Sequence, residues 1–256
     1  MPGDAARKLK RTLKPWAVRA AQYVEDRSHA VVRRLTPQQN SDNPARYADH
    51  WLPADEEGAR RAILNEPDVE YFERLANEHG DLLAQWIKPD DTVVDIGCGI
   101  GRVALTLASR CREIWCVDVS PKMIAFARKR LADAPNARFV VSDGTTVSQI
   151  PDGTADFVYS ILVLQHLERE DAFVLLRDMH RFTRPDGLAF FTFPNLGSAQ
   201  GMSAFLRNVD QGEVANVARA RVYTHEEVAA LLPEAGWAIE ETIGLDPDIL
   251  VLCRRT

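Results

Sequence analysis

From residue 92 onward, short apolar runs alternate with amphipathic stretches. The runs are continuous and rich in β-branched and aromatic residues, as is typical of strands buried on both faces. They cover residues 92–96, 113–117, 138–141, 156–161 and 187–192. Helical patterns lie between several of these runs, at 102–109, 121–131 and 171–182. Strands separated by helices predict an α/β fold, a doubly wound parallel sheet covered by helices on both faces.

The end of the chain breaks this rhythm. Thr224 is a predicted helix N-cap, with Glu226 and Glu227 in the first helical turn. Two strand-like runs follow, at 237–243 and 249–254, and the residues between them are too few for a crossover helix. They predict an antiparallel hairpin, so we expect a seven-stranded, mostly parallel sheet with an antiparallel C-terminal strand.

The most informative stretch is the turn after the first strand, which reads DIGCGIG over residues 95–101. Glycines let a ligand approach bare backbone, and the first amides of the next helix point toward it. The spacing GxGxG differs from the GxGxxG of dinucleotide-binding loops, and no GK[ST] of a Walker loop follows. The Asp95 carboxylate is a poor neighbour for a diphosphate and a good one for an ammonium group. Asp118, which ends the second strand, suits ribose hydroxyls in either kind of nucleotide site.

Composition limits the classes of partner. The chain has 256 residues, 46% of them hydrophobic, and a net charge of −6, which argues against nucleic acid as a partner. Residues 1–35 are the exception, with nine Lys and Arg against three acidic residues. Within them Leu9, Leu13, Trp16 and Ala20 follow helical spacing. This segment predicts weak peripheral contact with an anionic membrane, a solvated arm, or a helix packed on the domain, and Pro15, which interrupts the pattern, favours the last two.

The four cysteines form no CxxC pair and lie near no histidine cluster. We therefore expect reduced thiols and no metal site. No apolar stretch follows the basic N-terminus as in a signal peptide, and the longest uncharged apolar run, at 157–167, is too short to span a membrane. These features together predict a cytoplasmic protein.

Several stretches, taken in order, resemble one family. DIGCGIGR resembles motif I of the class I S-adenosylmethionine-dependent methyltransferases. WCVDVSPKMIAFAR, VVSDG, FVYSILVLQHL, RPDGLAFFTFP and YTHEEVAALLPEAGWAIEETIG resemble later segments of the same family, in the same order. The resemblance covers about residues 80–254. It implies the class I Rossmann-like methyltransferase fold, a methyltransferase activity and S-adenosyl-L-methionine as the cofactor.

The resemblance also implies the site. The implied cofactor-binding residues are Asp95, Gly97, Cys98, Gly99, Gly101, Asp118, Val119, Met123, Asp143, Gly144, Ser160 and Ile161. The glycines would border the methionine end of the cofactor, with Asp95 near its amino group. Asp118 would accept both ribose hydroxyls, and Asp143 and Gly144 would hold the adenine.

The catalytic candidate is His166, in an otherwise apolar run after the fourth strand. Imidazole titrates near neutrality, so His166 suits a general base for a substrate hydroxyl, although a histidine with a structural hydrogen bond fits the pattern equally well. The run lacks an Asn/Asp-Pro-Pro-Tyr/Phe motif. This departs from the methyltransferases that act on nucleic-acid or protein amide nitrogens and leaves those substrates in doubt.

Residues 80–256 are expected to form the cofactor-binding domain, with residues 1–79 as an N-terminal helical extension and 195–222 as a substrate-cap insertion. Cap candidates are aromatic or basic: Tyr47, His50, Trp51, Tyr71, Phe72, Trp86, Arg46 and Arg207. The expected function is methyl transfer to a small-molecule or lipid-like acceptor. An NAD(P)-dependent oxidoreductase and a non-catalytic module that binds the cofactor remain as alternatives, and the sequence identifies neither the acceptor nor the oligomeric state.

Overall fold

The computed structural model describes residues 45–64, 68–210, 219–244 and 246–256, with side chains from residue 47 onward. The basic segment and its stripe of Leu9, Leu13, Trp16 and Ala20 lie outside the described residues, as does the side chain of Arg46. Pro44–Thr256 form one compact unit. Within the described residues, three helices come before the sheet: α1 (Ala45–His50), α2 (Glu56–Leu64) and α3 (Val69–Ala84).

The sheet has seven strands in the order β3-β2-β1-β4-β5-β7-β6. They are β1 (Thr92–Ile96), β2 (Glu113–Asp118), β3 (Ala137–Val141), β4 (Ala155–Ser160), β5 (Thr183–Pro194), β6 (Trp237–Ile243) and β7 (Asp248–Arg255). The helices after α3 are α4 (Arg102–Leu107), α5 (Pro121–Arg130), α6 (Arg169–Phe182), α7 (Ala199–Asp210) and α8 (His225–Glu234). β7 runs antiparallel to both β5 and β6, whereas the other neighbouring pairs are parallel. The predicted fold class is confirmed.

Local sequence accounts for the helix starts. The Ser120 hydroxyl accepts from the amide of Met123 at the start of α5, and Pro121 occupies the first turn. Thr224 and Glu227 form a reciprocal capping box at the start of α8. Both predicted caps are confirmed.

The start of β5 differs from the prediction, which began the strand at residue 187. Thr183 already pairs with Ala155, and the ladder resumes where Leu188 pairs with Phe157. The predicted turn is therefore an irregularity within the strand, at which Asp186 has a φ of 61°. The chain passes from α6 directly into pairing with β4 and then forms a bulge.

Helix α3 joins the predicted N-terminal extension to the sheet domain. The backbone of Gly80 in α3 lies against Thr106 in α4, where a methyl group would come within 1.9 Å of the Thr106 hydroxyl. Trp86, just after α3, stacks on Phe190 of β5 with ring centroids 5.7 Å apart. Among the described helices, none is long and apolar enough to cross a membrane.

Candidate functional site

A cavity of about 800 Å³, counting the space at its open mouth, lies at the carboxyl ends of β1, β2 and β4. One side, here called the glycine-loop wall, consists of Ile96, Gly97, Gly99, Val117, Asp118, Val119, Met123, Ser142 and Gly144. The other, the cap wall, consists of Tyr47, Trp51, Ala62, Ile63, Ile161, Leu162, Val163, His166 and Leu167. Val147 and Leu175 complete the lining.

The glycine loop shapes the first wall with bare backbone. Gly97 and Gly99 have φ values of 75° and 55°, a left-handed conformation that favours glycine. A methyl group at Gly97 would lie 2.2 Å from Val163 Cγ2, and one at Gly99 would lie 2.7 Å from Ile63 Cδ1. The two walls therefore meet over the loop, and a side chain at either glycine would obstruct their contact.

The third glycine and the cysteine of the motif lie outside the cavity lining. Gly101 is the N-cap of α4, with a φ of 77°, and a methyl group there would lie 2.4 Å from Leu131 Cδ1. Cys98 packs into the core beneath the loop, and its amide donates to the Val117 carbonyl at 2.9 Å. Both residues hold the loop in place from behind.

Asp118 places a carboxylate in the cavity although only 8% of the residue is exposed. One of its oxygens accepts from the Gly99 amide at 2.9 Å and the other from the Ser120 amide at 2.8 Å. Burial raises the pKa of Asp118 to about 6, against the lowering effect of these amide donors. Each oxygen has further acceptor capacity, which is what a pair of ribose hydroxyls requires.

Asp95 takes a different position. It pairs with Cys116 on one neighbouring strand and with Tyr159 on the other, so all three share the face of the sheet that lies away from Ile96. Asp95 is 4% exposed and does not line the cavity. Burial raises its pKa to about 7, an effect that the nearby Tyr159 hydroxyl and Arg102 partly oppose.

Arg102 is a buried cation that the sequence interpretation missed. It is 4% exposed, its guanidinium lies over the Phe72 ring, and its Nη1 is 3.1 Å from Nδ1 of His79. Burial and this neighbouring cation lower the pKa of His79 to about 4. Arg102 also lies near enough to Asp95 to favour the charged form of that carboxyl and so to oppose the rise of its pKa. The arginine directly after the third glycine was the available signal, since an arginine starting a short apolar helix needs an anionic neighbour.

The adenine candidates separate. Gly144, Val119 and Met123 line the cavity, whereas the exposed Asp143 does not. Asp143 Oδ1 accepts from the amides of Thr145 and Thr146 at 2.8 and 2.7 Å. Partial burial would raise the pKa of Asp143, but these donors lower it below its ordinary value. Its carboxylate thus closes a local turn.

The backbone changes direction after β4. Ser160 is fully buried and outside the lining, whereas Ile161 lines the cavity. Leu162 has a φ of 61°, uncommon for a residue with a side chain, and its amide donates to the Thr192 hydroxyl at 3.0 Å. This turn brings Val163 onto Gly97.

His166 lies in the cap wall, in a 3₁₀ turn at Leu164–His166. The Trp51 ring meets its imidazole edge to face, with centroids 4.9 Å apart, and Gln165 Nε2 lies 3.2 Å from His166 Nε2. The imidazole is therefore at the cavity, where a base would have to be.

The other cap candidates divide in the same way. Tyr47 and Trp51 line the cavity, whereas His50 is exposed and packs against Trp51. Tyr71, Phe72, Trp86 and Arg207 lie outside the lining, as do all described residues of the predicted insertion 195–222. Ile63, Leu162 and Val163 were missed, since neither an apolar residue of a short helix nor one of a short loop carries a sequence signal for a cavity.

The chemistry of the lining fits S-adenosylmethionine. Bare backbone at Gly97 and Gly99, a buried carboxylate at Asp118 and apolar surface at Met123 match an amino-acid tail, a ribose and a purine. The described lining residues include neither Lys nor Arg, and the carboxylate among them is that of Asp118. No group of three His, Cys, Asp or Glu side chains in the described part of the chain is arranged to hold a metal.

Comparisons with known proteins agree with this geometry. Residues 93–187 match the family described as "Methyltransferase domain". Human thiol S-methyltransferase TMT1A is 30% identical over 131 residues, or 48% of this chain and 52% of the relative. Malonyl-[acyl-carrier protein] O-methyltransferase of Serratia marcescens is 30% identical over 122 residues, or 48% and 46%. The chain spans about half the length of these relatives.

Solved structures share the fold. Magnesium protoporphyrin IX methyltransferase from Synechocystis PCC 6803, solved with bound SAH, superposes with a TM-score of 0.64 at 18% identity. The superposition covers 84% of this chain and 100% of that one. It therefore extends well beyond residues 93–187.

Proposed function

We propose that the protein transfers a methyl group from S-adenosylmethionine to a small-molecule or lipid-like acceptor, because residues 93–187 match a methyltransferase-domain family and the chain shares the fold of a solved methyltransferase. The observation that carries this proposal is the cavity itself. Its glycine-loop wall offers backbone and the Asp118 carboxylate, and its cap wall brings His166 and apolar side chains to the same space.

On the glycine-loop wall, the proposed roles follow from position. The backbone of Gly97 and Gly99 accommodates the methionine portion, Asp118 accepts from the ribose hydroxyls, and Val119 and Met123 pack on the adenine. When bound, S-adenosylmethionine supplies an activated methyl group on a sulfonium sulfur. The protein therefore has to align the acceptor in line with that bond and exclude water.

On the cap wall, the side chains favour an acceptor with little charge. Trp51, Ile63 and Val163 offer apolar surface, and the described lining carries no cation that would recognise an anionic group. Human TMT1A is named for a thiol acceptor and the Serratia relative for an acyl-carrier-bound malonyl group, so similar chains serve more than one chemistry. We therefore propose small, mainly apolar molecules as the class of acceptor.

His166 is the proposed base where the acceptor is a hydroxyl. Its imidazole would take the hydroxyl proton as the oxygen attacks the methyl carbon, and the sulfur would leave with the electron pair of the broken carbon–sulfur bond. A thiolate or a neutral amine would need no such base.

Calorimetry and a thermal-shift titration test this proposal. We expect S-adenosylhomocysteine to bind with one site per chain and to stabilise the protein by about 2.7 kcal/mol at a ligand concentration of 100 times Kd. NADH at the same concentration should give no shift. A shift with NADH alone would replace the proposal by an oxidoreductase. Tight S-adenosylhomocysteine binding without methyl transfer to any thiol, phenol, amine or carboxylic acid in a panel would indicate a non-catalytic module.

A further inference from the structure

Hydrogen bonds from residues before and after 93–187 in the sequence hold the turn that carries His166. From the N-terminal side, the Tyr47 hydroxyl donates to the Asp171 carboxylate and accepts from the Glu168 amide at 3.1 Å. From the C-terminal side, residues 219–223 run alongside the same turn, and the Arg221 amide donates to the Gln165 carbonyl at 2.8 Å. The turn that carries His166 is thus held between two segments that lie outside residues 93–187.

Arg221 makes the densest of these contacts. It is 5% exposed. Its Nη2 and Nε donate to the two carboxylate oxygens of Glu168 at 2.6 and 3.1 Å, and its Nη1 donates to the His166 carbonyl at 2.9 Å. A planar guanidinium satisfies a carboxylate and a carbonyl at once, which the single ammonium of lysine does not.

We propose that Arg221 is a positioning residue for methyl transfer: by binding Glu168 and the His166 carbonyl together, it fixes the turn that presents His166 and Val163 to the acceptor. The inference rests on the proposed function of the cavity. Arg221 does not line the cavity and so acts through the turn. We expect its loss to leave the cofactor side of the cavity intact, because Arg221 hydrogen-bonds to Gln165, His166, Glu168 and Arg219, and these partners lie outside the glycine-loop wall.

The chain contains a matched control. Arg254 grips Glu240 with Nε and Nη2, and its Nη1 donates to the Asp186 carbonyl at 2.9 Å. This is the same fork on a carboxylate plus one backbone carbonyl. The pair lies on the β6–β7 hairpin, is more than a third exposed and is remote from the lining residues. Arg254→Gln therefore removes a clamp of the same geometry, although a more exposed one, at residues outside the cavity lining.

The test compares Arg221→Gln, Arg221→Lys and Arg254→Gln in the full chain. The first readout is the imidazole signal of His166 in histidine-labelled protein, assigned by its loss in His166→Gln. We expect both Arg221 variants to move that signal and to leave the signal of His180 in place, while Arg254→Gln moves neither. Should Arg221→Gln fail to fold, Arg221→Lys decides the question, because it keeps the buried charge but not the fork.

The second readout is kinetic, with an acceptor found in the panel. We expect the Arg221 variants to lower kcat at least tenfold, as misplacement of a reacting group does, with the affinity for S-adenosylhomocysteine changed less than twofold. A His166 signal that does not move, or kinetics equal to those of Arg254→Gln, would overturn the inference. Failure of the wild-type chain to bind S-adenosylhomocysteine would instead overturn the proposed function, so the two failures are distinguishable.

Discussion

The two walls of the cavity are built on different principles. The glycine-loop wall lies at the ends of parallel strands, where backbone geometry and one carboxylate define the ligand. The cap wall is made of side chains from α1, α2 and the turn after β4, held by Tyr47 and Arg221. Under the proposed function, the methyl donor would contact mainly the first wall and the acceptor mainly the second. Recognition of the donor and choice of the acceptor would then fall to different parts of the chain.

The largest expected effect is at Gly97, where the two walls touch. Gly97→Ala would combine a left-handed φ, costing about 1–2 kcal/mol, with overpacking against Val163, costing about 1–3 kcal/mol. We expect a loss of unfolding free energy of about 2–5 kcal/mol and loss of S-adenosylhomocysteine binding, measured by urea denaturation and calorimetry.

The control for that variant is Gly153→Ala. Gly153 has a φ of 63° but no atom within 4 Å of an added methyl group. Gly153→Ala should lose only the unfolding free energy due to the left-handed φ, about 1–2 kcal/mol. It should bind S-adenosylhomocysteine as tightly as the unchanged protein does. Equal losses in the two variants would mean that contact between the walls is unimportant.

The next largest effect is the pH dependence of stability that the buried Asp95 causes. The folded pKa of Asp95, about 7, lies above its unfolded value, so the native state binds the proton more tightly and stability falls as the pH rises from about 4 to 7. Asp95→Asn should remove roughly 2–4 kcal/mol of that fall. Unfolding free energies of both proteins at four pH values give the difference, and identical slopes would contradict the buried position of Asp95.

Asp118→Asn is expected to act on binding. Losing a charged acceptor of hydrogen bonds should weaken S-adenosylhomocysteine by about 1.5–3 kcal/mol in calorimetry. Asp143→Asn is the comparison, since that carboxylate closes its own turn outside the lining, and it should cost less. If Asp143→Asn weakened binding more than Asp118→Asn, the main polar contact with the ligand would lie at its adenine end.

The smallest effect on cofactor affinity is expected from a substitution in the cap wall. Trp51→Leu removes the ring that meets His166 and widens the acceptor side, so kcat should fall while the affinity for S-adenosylhomocysteine stays within about threefold, under 1 kcal/mol. Tyr71→Leu, an exposed aromatic outside the lining, should change neither quantity. A large loss of cofactor affinity in Trp51→Leu would erase the distinction between the walls.

The sequence predicted the fold in detail because its signals are local. The bounds of β1 and β6 are those predicted, and the caps at Ser120 and Thr224 follow from side-chain chemistry one turn away. At β5 the prediction was wrong, because pairing of Thr183 with Ala155 is a tertiary contact that overrides the turn residues after it.

The candidate site could be predicted where position along a strand decides it, and the alternation of strand side chains explains part of the rest. Asp95 was named and Ile96 was not, yet successive residues face opposite sides, so Ile96 lines the cavity and Asp95 lies behind it. The cap wall depends on where α1 and α2 settle on the loop. That arrangement comes from long-range packing, which no short pattern encodes.

The place of β7 has a consequence for the order in which the chain matures. It is the last strand in the sequence but lies inside the sheet, between β5 and β6. During synthesis, β5 therefore has an open edge of unpaired amides and carbonyls until residues 248–255 have left the ribosome. A truncated chain that ends before residue 248 would contain the glycine loop but would leave the edge of β5 unpaired. We expect such a chain to aggregate or to be degraded by proteases.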